Sequence, residues 1–449
     1  MTPAPKISNP KILKDLRKIS CTSTFSKLFE GILKDWIVED ITENMDIGQF
    51  GGEKGTGTEH MIVCLIDRIL QLLDKNSNQS AVIAAFVDWA AAFDHQDPTL
   101  AIKRFIEIGV RPAIIPILVS YLSERQMRVK FNGEESEIMS LIGGGRQGTL
   151  LGQLMYLVQS NDNANVVEPE DRFKYIDDLS ILQIVCLAGL LASYNFHFHV
   201  ASDVGVDQLF LPPSNCQTQS QLDEITEWTR QNLMNLNKAK SNYMIFKRTK
   251  SNFVTRLNLN GTVLDQLSTT KLLGIWITED LSWAKNTQEI CKKAYSRMSM
   301  LSKLKYVGTS TEDLVDIYVL FIRSCAEYCS VAFHSSLTKS QSVDIERIQR
   351  TSLRIILGDM YIDYPIALEM CNLKPLFERR EQKCLDFSLK CIKHTKNSRI
   401  FPINPNQLEA NMDIRQRELF KVNFSRTEKY RKSAVPFCQR LLNKHFSDQ

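Results

Sequence analysis

Phe173-Lys174-Tyr175-Ile176-Asp177-Asp178-Leu179-Ser180 is the stretch that decides how this chain is read. Two adjacent carboxylates stand between short apolar runs, as at the tip of a tight hairpin. An isolated acidic pair belongs more often to a solvated turn than to a catalytic centre. A second feature changes the balance. The run Ala81-Val82-Ile83-Ala84-Ala85-Phe86-Val87 leads directly into another carboxylate, Asp88. Two-metal phosphoryl transfer needs such a set, because two cations roughly 3.5–4 Å apart activate a hydroxyl and stabilise a leaving oxygen. Without cations, three buried carboxylates repel one another and are costly to desolvate.

The chain has 449 residues and 43% hydrophobic content, enough for several folded subdomains. Fifty-five Lys and Arg face 51 Asp and Glu, so any basic groove must come from local clustering. Eleven scattered cysteines form no disulfide framework and read as reduced intracellular thiols. The nucleus and the cytoplasm are not distinguished. Met1-Thr2-Pro3-Ala4-Pro5-Lys6 lacks a secretory apolar core. The longest apolar run, near Ile181–Tyr194, is too short and interrupted to span a bilayer, so no membrane association is expected.

Outward from the acidic stretches, residues 11–47 read as helical, with an apolar stripe through Phe25, Leu28, Phe29, Ile32 and Leu33. A glycine-rich loop, Gln49 to Thr58, precedes helical spacing through Met61, Leu65, Ile69 and Leu72. Residues 97–124 form one or two helices broken at Arg111-Pro112, and Asn132-Gly133 turns a hairpin. Gln221–Asn235 is an amphipathic helix with Leu222, Ile225, Trp228 and Leu233 inward. Strands follow near Asn242–Phe246 and Leu272–Ile277. From Trp283 onward the pattern is largely helical, including Thr311–Tyr328, and the last fifty residues carry less pattern. Cys325 with Cys329, and Cys384 with Cys391 and His394, lack zinc spacing and read as buried thiols. His197 and His199 alternate as on a strand without a partner ligand. No phosphate-binding glycine-lysine loop and no nucleophile elbow occurs.

Five segments in order resemble the reverse transcriptase of non-LTR (LINE-type) retrotransposons. They are Asp88-Trp89-Ala90-Ala91-Ala92-Phe93-Asp94, Gly145-Arg146-Gln147-Gly148-Thr149-Leu150-Leu151-Gly152 and Tyr175-Ile176-Asp177-Asp178, then Leu236-Asn237-Lys238-Ala239-Lys240-Ser241 and Leu272-Leu273-Gly274-Ile275-Trp276. The resemblance implies an α+β right-hand polymerase with fingers, a palm of mixed or antiparallel sheet flanked by helices, and a helical thumb. The expected boundaries are 1–80 for fingers, 81–285 for palm with inserted fingers elements, 286–395 for helical thumb and connection, and 396–449 for a C-terminal tail.

It further implies that Asp88 and Asp177 are the main metal ligands, with Asp178 a ligand or a supporting acid. Magnesium is the implied cofactor, with manganese as a substitute. Lys240 resembles the lysine near the leaving pyrophosphate. Arg17, Lys54, Phe93, Gln147 and Gly148 resemble nucleotide- and template-binding positions, with Phe93 as a steric gate against the ribose 2′-hydroxyl. Asp94 has an alternative role as a cap. Leu273, Gly274 and Trp276 resemble the hairpin that holds a primer end. Lys292, Lys293, Arg297, Lys303 and Lys305 read either as a duplex-gripping thumb or as a solvated helix face. Lys18 and Arg146 stand where the family commonly has proline.

The implied function is RNA-directed DNA polymerisation, a nucleotidyl transfer from a deoxynucleoside triphosphate to a primer 3′-hydroxyl. The partners are an RNA template and a DNA or RNA primer, with an endonuclease supplied by an upstream module or a separate partner. Two readings stay open beside it: a catalytically degenerate nucleic-acid-binding remnant, and an RNA-dependent RNA polymerase.

Overall fold

Alternation along Ser80–Val87 builds the centre of the molecule. Val82, Ala84 and Phe86 point to one side of a sheet, and Ala81, Ile83, Ala85 and Val87 to the other; all are buried. A strand apolar on both faces belongs in the middle of a sheet covered on both sides. In this computed structural model it lies at the centre of five strands, ordered Asp265–Gln266, Asn242–Lys247, Ser80–Val87, Asp178–Cys186 and Arg172–Tyr175. All neighbours pair antiparallel except Asp265–Gln266, which runs parallel to Asn242–Lys247. The structure describes residues 1–449 apart from 77–79, 142, 146, 187–208, 212–215, 249–252, 405–417 and 449. Arg146, His197, His199 and the end of the run Ile181–Tyr194 therefore lie outside the described residues.

Three cores surround this sheet. Helix Thr58–Lys75 presents Met61, Leu65, Ile69 and Leu72 to one sheet face, and that core continues into the C-terminal helices. Leu222 and Ile225 of helix Gln217–Gln231 cover the other face. The third core joins helices Thr24–Ile41, Pro98–Ile108, Ile115–Leu122 and Leu150–Gln159 through Leu33, Ile37, Phe105, Leu118 and Leu154. Its polar pin is Glu30, which is 1% exposed and accepts from Leu150 N at 3.0 Å and from Tyr121 Oη at 3.2 Å.

The C-terminal region is helical as expected. It includes Ala284–Tyr306, Lys339–Leu357 and Leu376–Lys393. The expected helix over 311–328 is interrupted: Thr311–Ile317 gives way to a π-helical turn over Tyr318–Arg323. Helix Ala434–Ser447 packs against Leu376–Lys393 in a stretch where little pattern was read. Cys325, Cys329, Cys384 and Cys391 are buried thiols. Among the described residues no helix is long and apolar enough to cross a membrane.

Four expectations need correction. Residues 11–23 form no α-helix: after a single 3-10 turn at Leu13–Asp15, Leu16–Ile19 finds a strand partner in Thr2–Pro5. On helix Thr24–Ile41 only Leu33 of the named stripe is buried; Phe25 is 86% and Leu28 65% exposed, with Phe29 and Ile32 also exposed. The buried face is instead Glu30, Leu33, Ile37 and Ile41. Leu233 is exposed, since helix Gln217–Gln231 ends before it and Leu233 takes a left-handed φ of 55°. The strand expected near Leu272–Ile277 divides into two, Thr269–Leu272 and Ile275–Thr278, which pair as a hairpin turning at Leu273-Gly274, the shape the resemblance implied.

Candidate active site

The hairpin register sets the acids. Tyr175 pairs with Asp178, which leaves Ile176 and Asp177 as the two-residue tip. Ile176 takes a φ of 57°, a costly conformation for a β-branched residue that persists only where surroundings enforce it. Gln49 does so: its Oε1 accepts from Ile176 N at 3.1 Å and from Gly51 N at 2.9 Å. Gly51 is required there, because a Cβ would fall 2.6 Å from Ile176 N. Beneath, buried Asp46 pairs with Arg172 at 2.9 Å and Lys174 at 2.6 Å. Burial pushes the Asp46 carboxyl up, but the Arg172 hydrogen bonds and the Lys174 charge outweigh it and bring it to about 2.

Across the sheet, Val87 pairs with Leu179, so the next position on each strand sets Asp88 beside Asp178. Asp88 is clamped from the opposite side. Its N–H donates to Ser241 Oγ at 3.1 Å, its carbonyl accepts from Asn237 N at 2.8 Å, and its Oδ2 accepts from Asn237 Nδ2 at 2.8 Å. Lys240 Nζ lies 3.9 Å from Asp88 Oδ2. Burial raises the Asp88 carboxyl, with Lys240 and Asn237 opposing and Asp177 adding to the rise. Burial also raises Asp177, against the charges of Lys240 and Arg17. Asp178 is pushed up to about 6 by burial and then by Asp177 and Asp88. Among the described residues, no three His, Cys, Asp or Glu side chains stand at metal-binding distance in this arrangement.

The expected nucleotide-side residues divide into two groups. Arg17, on the edge strand Leu16–Ile19, acts on Asp177 through its charge. Gln147 accepts from Ser20 N at 2.8 Å through its carbonyl, and Gly148, at φ 99°, abuts Ile19 and Ser20. Phe93 stacks on buried Tyr156 at 5.3 Å, and its carbonyl accepts from Gly145 N at 2.6 Å. Tyr156 feels all three acids, since burial first and then Asp177, Asp178 and Asp88 raise its hydroxyl pKa. Arg17 therefore faces the acids through its charge and Phe93 through Tyr156, while Gln147 and Gly148 pack on the end of the strand that carries Arg17. Lys54 does not join them directly; its side chain is exposed and its carbonyl stands 2.9 Å from His394 Nε2. Asp94 ion-pairs with Lys18 at 3.2 Å, and it is Asp97 that caps helix Pro98–Ile108.

Leu273 and Gly274 form the turn of a separate site. Tyr328 Oη donates to the Leu273 carbonyl at 2.7 Å. Trp276 carries Lys271 and Lys285 over its ring at 5.9 and 5.3 Å. Gly274 and Trp276 line a cleft of about 770 Å³ shared with Lys292, Lys293 and Arg297 of helix Ala284–Tyr306. Lys303 and Lys305 sit further along that helix, outside the cleft lining. Asn237, Ser241, Gln49 and Tyr156 had no role assigned from the sequence. Asn237 and Ser241 were legible in principle, because they flank Lys240 in a quoted motif.

Antiparallel strands thus set Asp88 beside Asp178 at their ends, with Asp177 at the adjoining hairpin tip. No family model matches the chain. It is 27% identical over 296 residues to the probable RNA-directed DNA polymerase from transposon BS of Drosophila melanogaster, covering 64% of this chain and 30% of that protein. It is 24% identical over 360 residues to the RNA-directed DNA polymerase from mobile element jockey of the same species, covering 78% and 36%. A third relative, from transposon X-element, is 27% identical over 310 residues. These relatives are polymerases of non-LTR transposons, so the resemblance read from the five motifs is borne out. The chain spans 30% and 36% of the length of the first two. Among solved structures, apo telomerase from Candida tropicalis aligns with a TM-score of 0.37 at 11% identity, over 82% of this chain and 58% of that one. At a TM-score this low, the fold rests on this chain's own strand order.

Proposed function

We propose that the chain is the RNA-directed DNA polymerase of a non-LTR retroelement. The observation that carries this reading is the register that sets Asp88 beside Asp178, one residue from Asp177 at the hairpin tip. The three carboxylates have the donor chemistry for divalent cations, which would draw their side chains together from the separation seen here. All three carboxyls are raised by burial, and the charges of the other acids add to the rise of Asp88 and Asp178, an excess that bound cations relieve. Asp88 and Asp177 are the main proposed ligands, with Asp178 beside them. Their all-oxygen donors suit magnesium, with manganese as a substitute. When bound, such ions activate a primer 3′-hydroxyl and stabilise the leaving pyrophosphate.

The chain's own groups handle the rest. Lys240, 3.9 Å from Asp88, neutralises part of the site and in this reading protonates the leaving phosphate oxygen. Arg17, Lys54, Gln147 and Gly148 hold nucleotide and template, and Phe93 bounds the sugar. In this reading the first 80 residues and the helices of the third core act as fingers, the sheet as palm, and residues 286–395 as thumb and connection, with 396–449 as the tail. The cleft lined by Gly274, Trp276, Lys292, Lys293 and Arg297 receives the primer–template duplex. An RNA template, a DNA or RNA primer and deoxynucleoside triphosphates are the proposed partners, with an endonuclease as a partner or an upstream module.

Primer extension on an RNA template tests this, with deoxynucleotides and with or without magnesium. Asp177→Asn is expected to abolish extension while the fold stays intact. Undiminished extension by Asp177→Asn would sink the assignment.

A further inference from the structure

The loop that carries Lys54 is held from an unexpected direction. Helix Leu376–Lys393 ends beneath it, and the next six residues grip it. Lys396, only 13% exposed, sets its ammonium 2.8 Å from Glu53 Oε2. The same ammonium donates to the carbonyls of Gln49 and, at 3.5 Å, Asp46, and lies 5.5 Å from the centre of the Phe50 ring. Arg399 Nη2 donates to the Ile47 carbonyl at 3.0 Å. The His394 ring covers Gly55, where a Cβ would lie 2.8 Å from Cδ2. Its Nε2 stands 2.9 Å from the Lys54 carbonyl, which can only accept, while Nδ1 faces Asn397 N at 3.4 Å.

The gripped loop is itself joined to the acids. Phe50 N donates to the Lys174 carbonyl and Lys174 N to the Gly48 carbonyl, each at 2.8 Å. Gln49, whose carbonyl Lys396 holds, caps the strained Ile176 beside Asp177 with its side-chain amide oxygen. A chain of direct contacts thus runs from Lys396 through Gln49 to the hairpin tip. Lys396 also neutralises Glu53. Left unpaired, that carboxylate would stand next to Lys54 and oppose an incoming triphosphate.

We infer that Lys396 is a positioning residue for nucleotide binding: its ammonium fixes the loop Asp46–Gly55 so that Lys54 is presented and Gln49 seats the turn carrying Asp177. The inference rests on the polymerase reading above. A purely structural ammonium would brace the whole protein; this one has its hydrogen bonds concentrated on one loop.

Three variants of the full chain decide it: Lys396→Met, Lys396→Arg and His394→Ala. Amide hydrogen exchange is measured first, on free protein, which needs no activity. In Lys396→Met, exchange should quicken at residues 46–57 and 174–178 and nowhere else. Steady-state extension should show KM for the nucleotide raised about tenfold, with duplex affinity within about twofold of wild type. Lys396→Arg, which keeps the charge, should recover most of the difference. Unchanged exchange in the loop, or KM within about twofold of wild type, overturns the inference. So does a uniform rise in exchange with loss of duplex binding. If Lys396→Met does not fold, His394→Ala decides by the same loop and KM readouts. Wild-type protein without extension would count against the polymerase reading alone, and the exchange result would still report whether Lys396 holds the loop.

Discussion

Asn237 donates from Nδ2 to Oδ2 of Asp88 at 2.8 Å while its own main-chain N–H donates to the Asp88 carbonyl at 2.8 Å. One asparagine thereby fixes both the side chain and the backbone of a proposed metal ligand. Groups that orient ligands without touching the metal commonly matter about 10–100-fold. Asn237→Ala is expected to lower kcat for extension by about that factor, with duplex affinity unchanged. Asn237→Asp should be worse, since it sets a like charge beside Asp88. Single-turnover extension on a pre-bound duplex checks this; a rate within about twofold of wild type for both variants contradicts it.

Phe93 separates the polymerase classes. Its ring stacks on Tyr156 at 5.3 Å, and Tyr156 in turn feels all three acids, so the ring lies close to the reacting centre. Phe93→Val should admit ribonucleotides more readily, at some loss of overall activity from lost packing. The ratio of kcat/KM for deoxy- and ribonucleotides is the quantity to measure. An unchanged ratio with robust extension makes Phe93 a packing residue. A wild type that prefers ribonucleotides replaces the present reading with that of an RNA polymerase.

The cleft beside Trp276 should behave as a phosphate grip. Lys292 and Lys293 line it. Duplex affinity should therefore fall steeply with salt and vary little with sequence. Replacing both lysines by Gln should reduce the slope of log affinity against log salt by roughly 1–2, as each lost phosphate contact removes about one counterion. Fluorescence anisotropy across a salt series reads this directly. A slope identical to wild type removes these lysines from the interface.

Asp67 gives a stability test independent of activity. Its carboxyl is buried and accepts from Gln71 Nε2 at 2.6 Å, and burial pushes it up to about 7 against the Gln71 and Tyr430 side chains. A folded pKa above the unfolded value of about 3.9 means the folded state favours the proton. That contribution is full below about pH 4 and is lost as pH rises through about 7. Stability should thus decline between about pH 4 and 7 and level off above. Asp67→Asn should flatten that decline and be the more stable protein at pH 8, on the order of 1–2 kcal/mol. Urea unfolding at a series of pH values checks it. A wild-type profile unchanged by the substitution would refute the assignment.

The sequence alone determined the parts whose signal is local. An apolar run ending in Asp88 and an apolar-flanked Asp177-Asp178 marked strand ends, because burial on two faces demands an uninterrupted apolar strand. Helical spacing placed Met61, Leu65, Ile69 and Leu72 on one buried face. Ordered motifs pointed to the polymerase family. Tertiary structure alone decided the register that sets Asp88 opposite Asp178, because pairing between Ser80–Val87 and Asp178–Cys186 joins residues nearly a hundred positions apart. It also reversed the helix Thr24–Ile41: Phe25 and Leu28 look like core by composition, yet the core lies against Leu33 and Ile37 with buried Glu30 among them. A polar Glu30 is tolerated inside only because Leu150 N and Tyr121 Oη reach it, and no local pattern encodes those partners. Gln49 and Lys396 were invisible for the same reason. Their work lies in hydrogen bonds to segments over a hundred residues away, and an amide or an ammonium in sequence carries no record of the partner it will find.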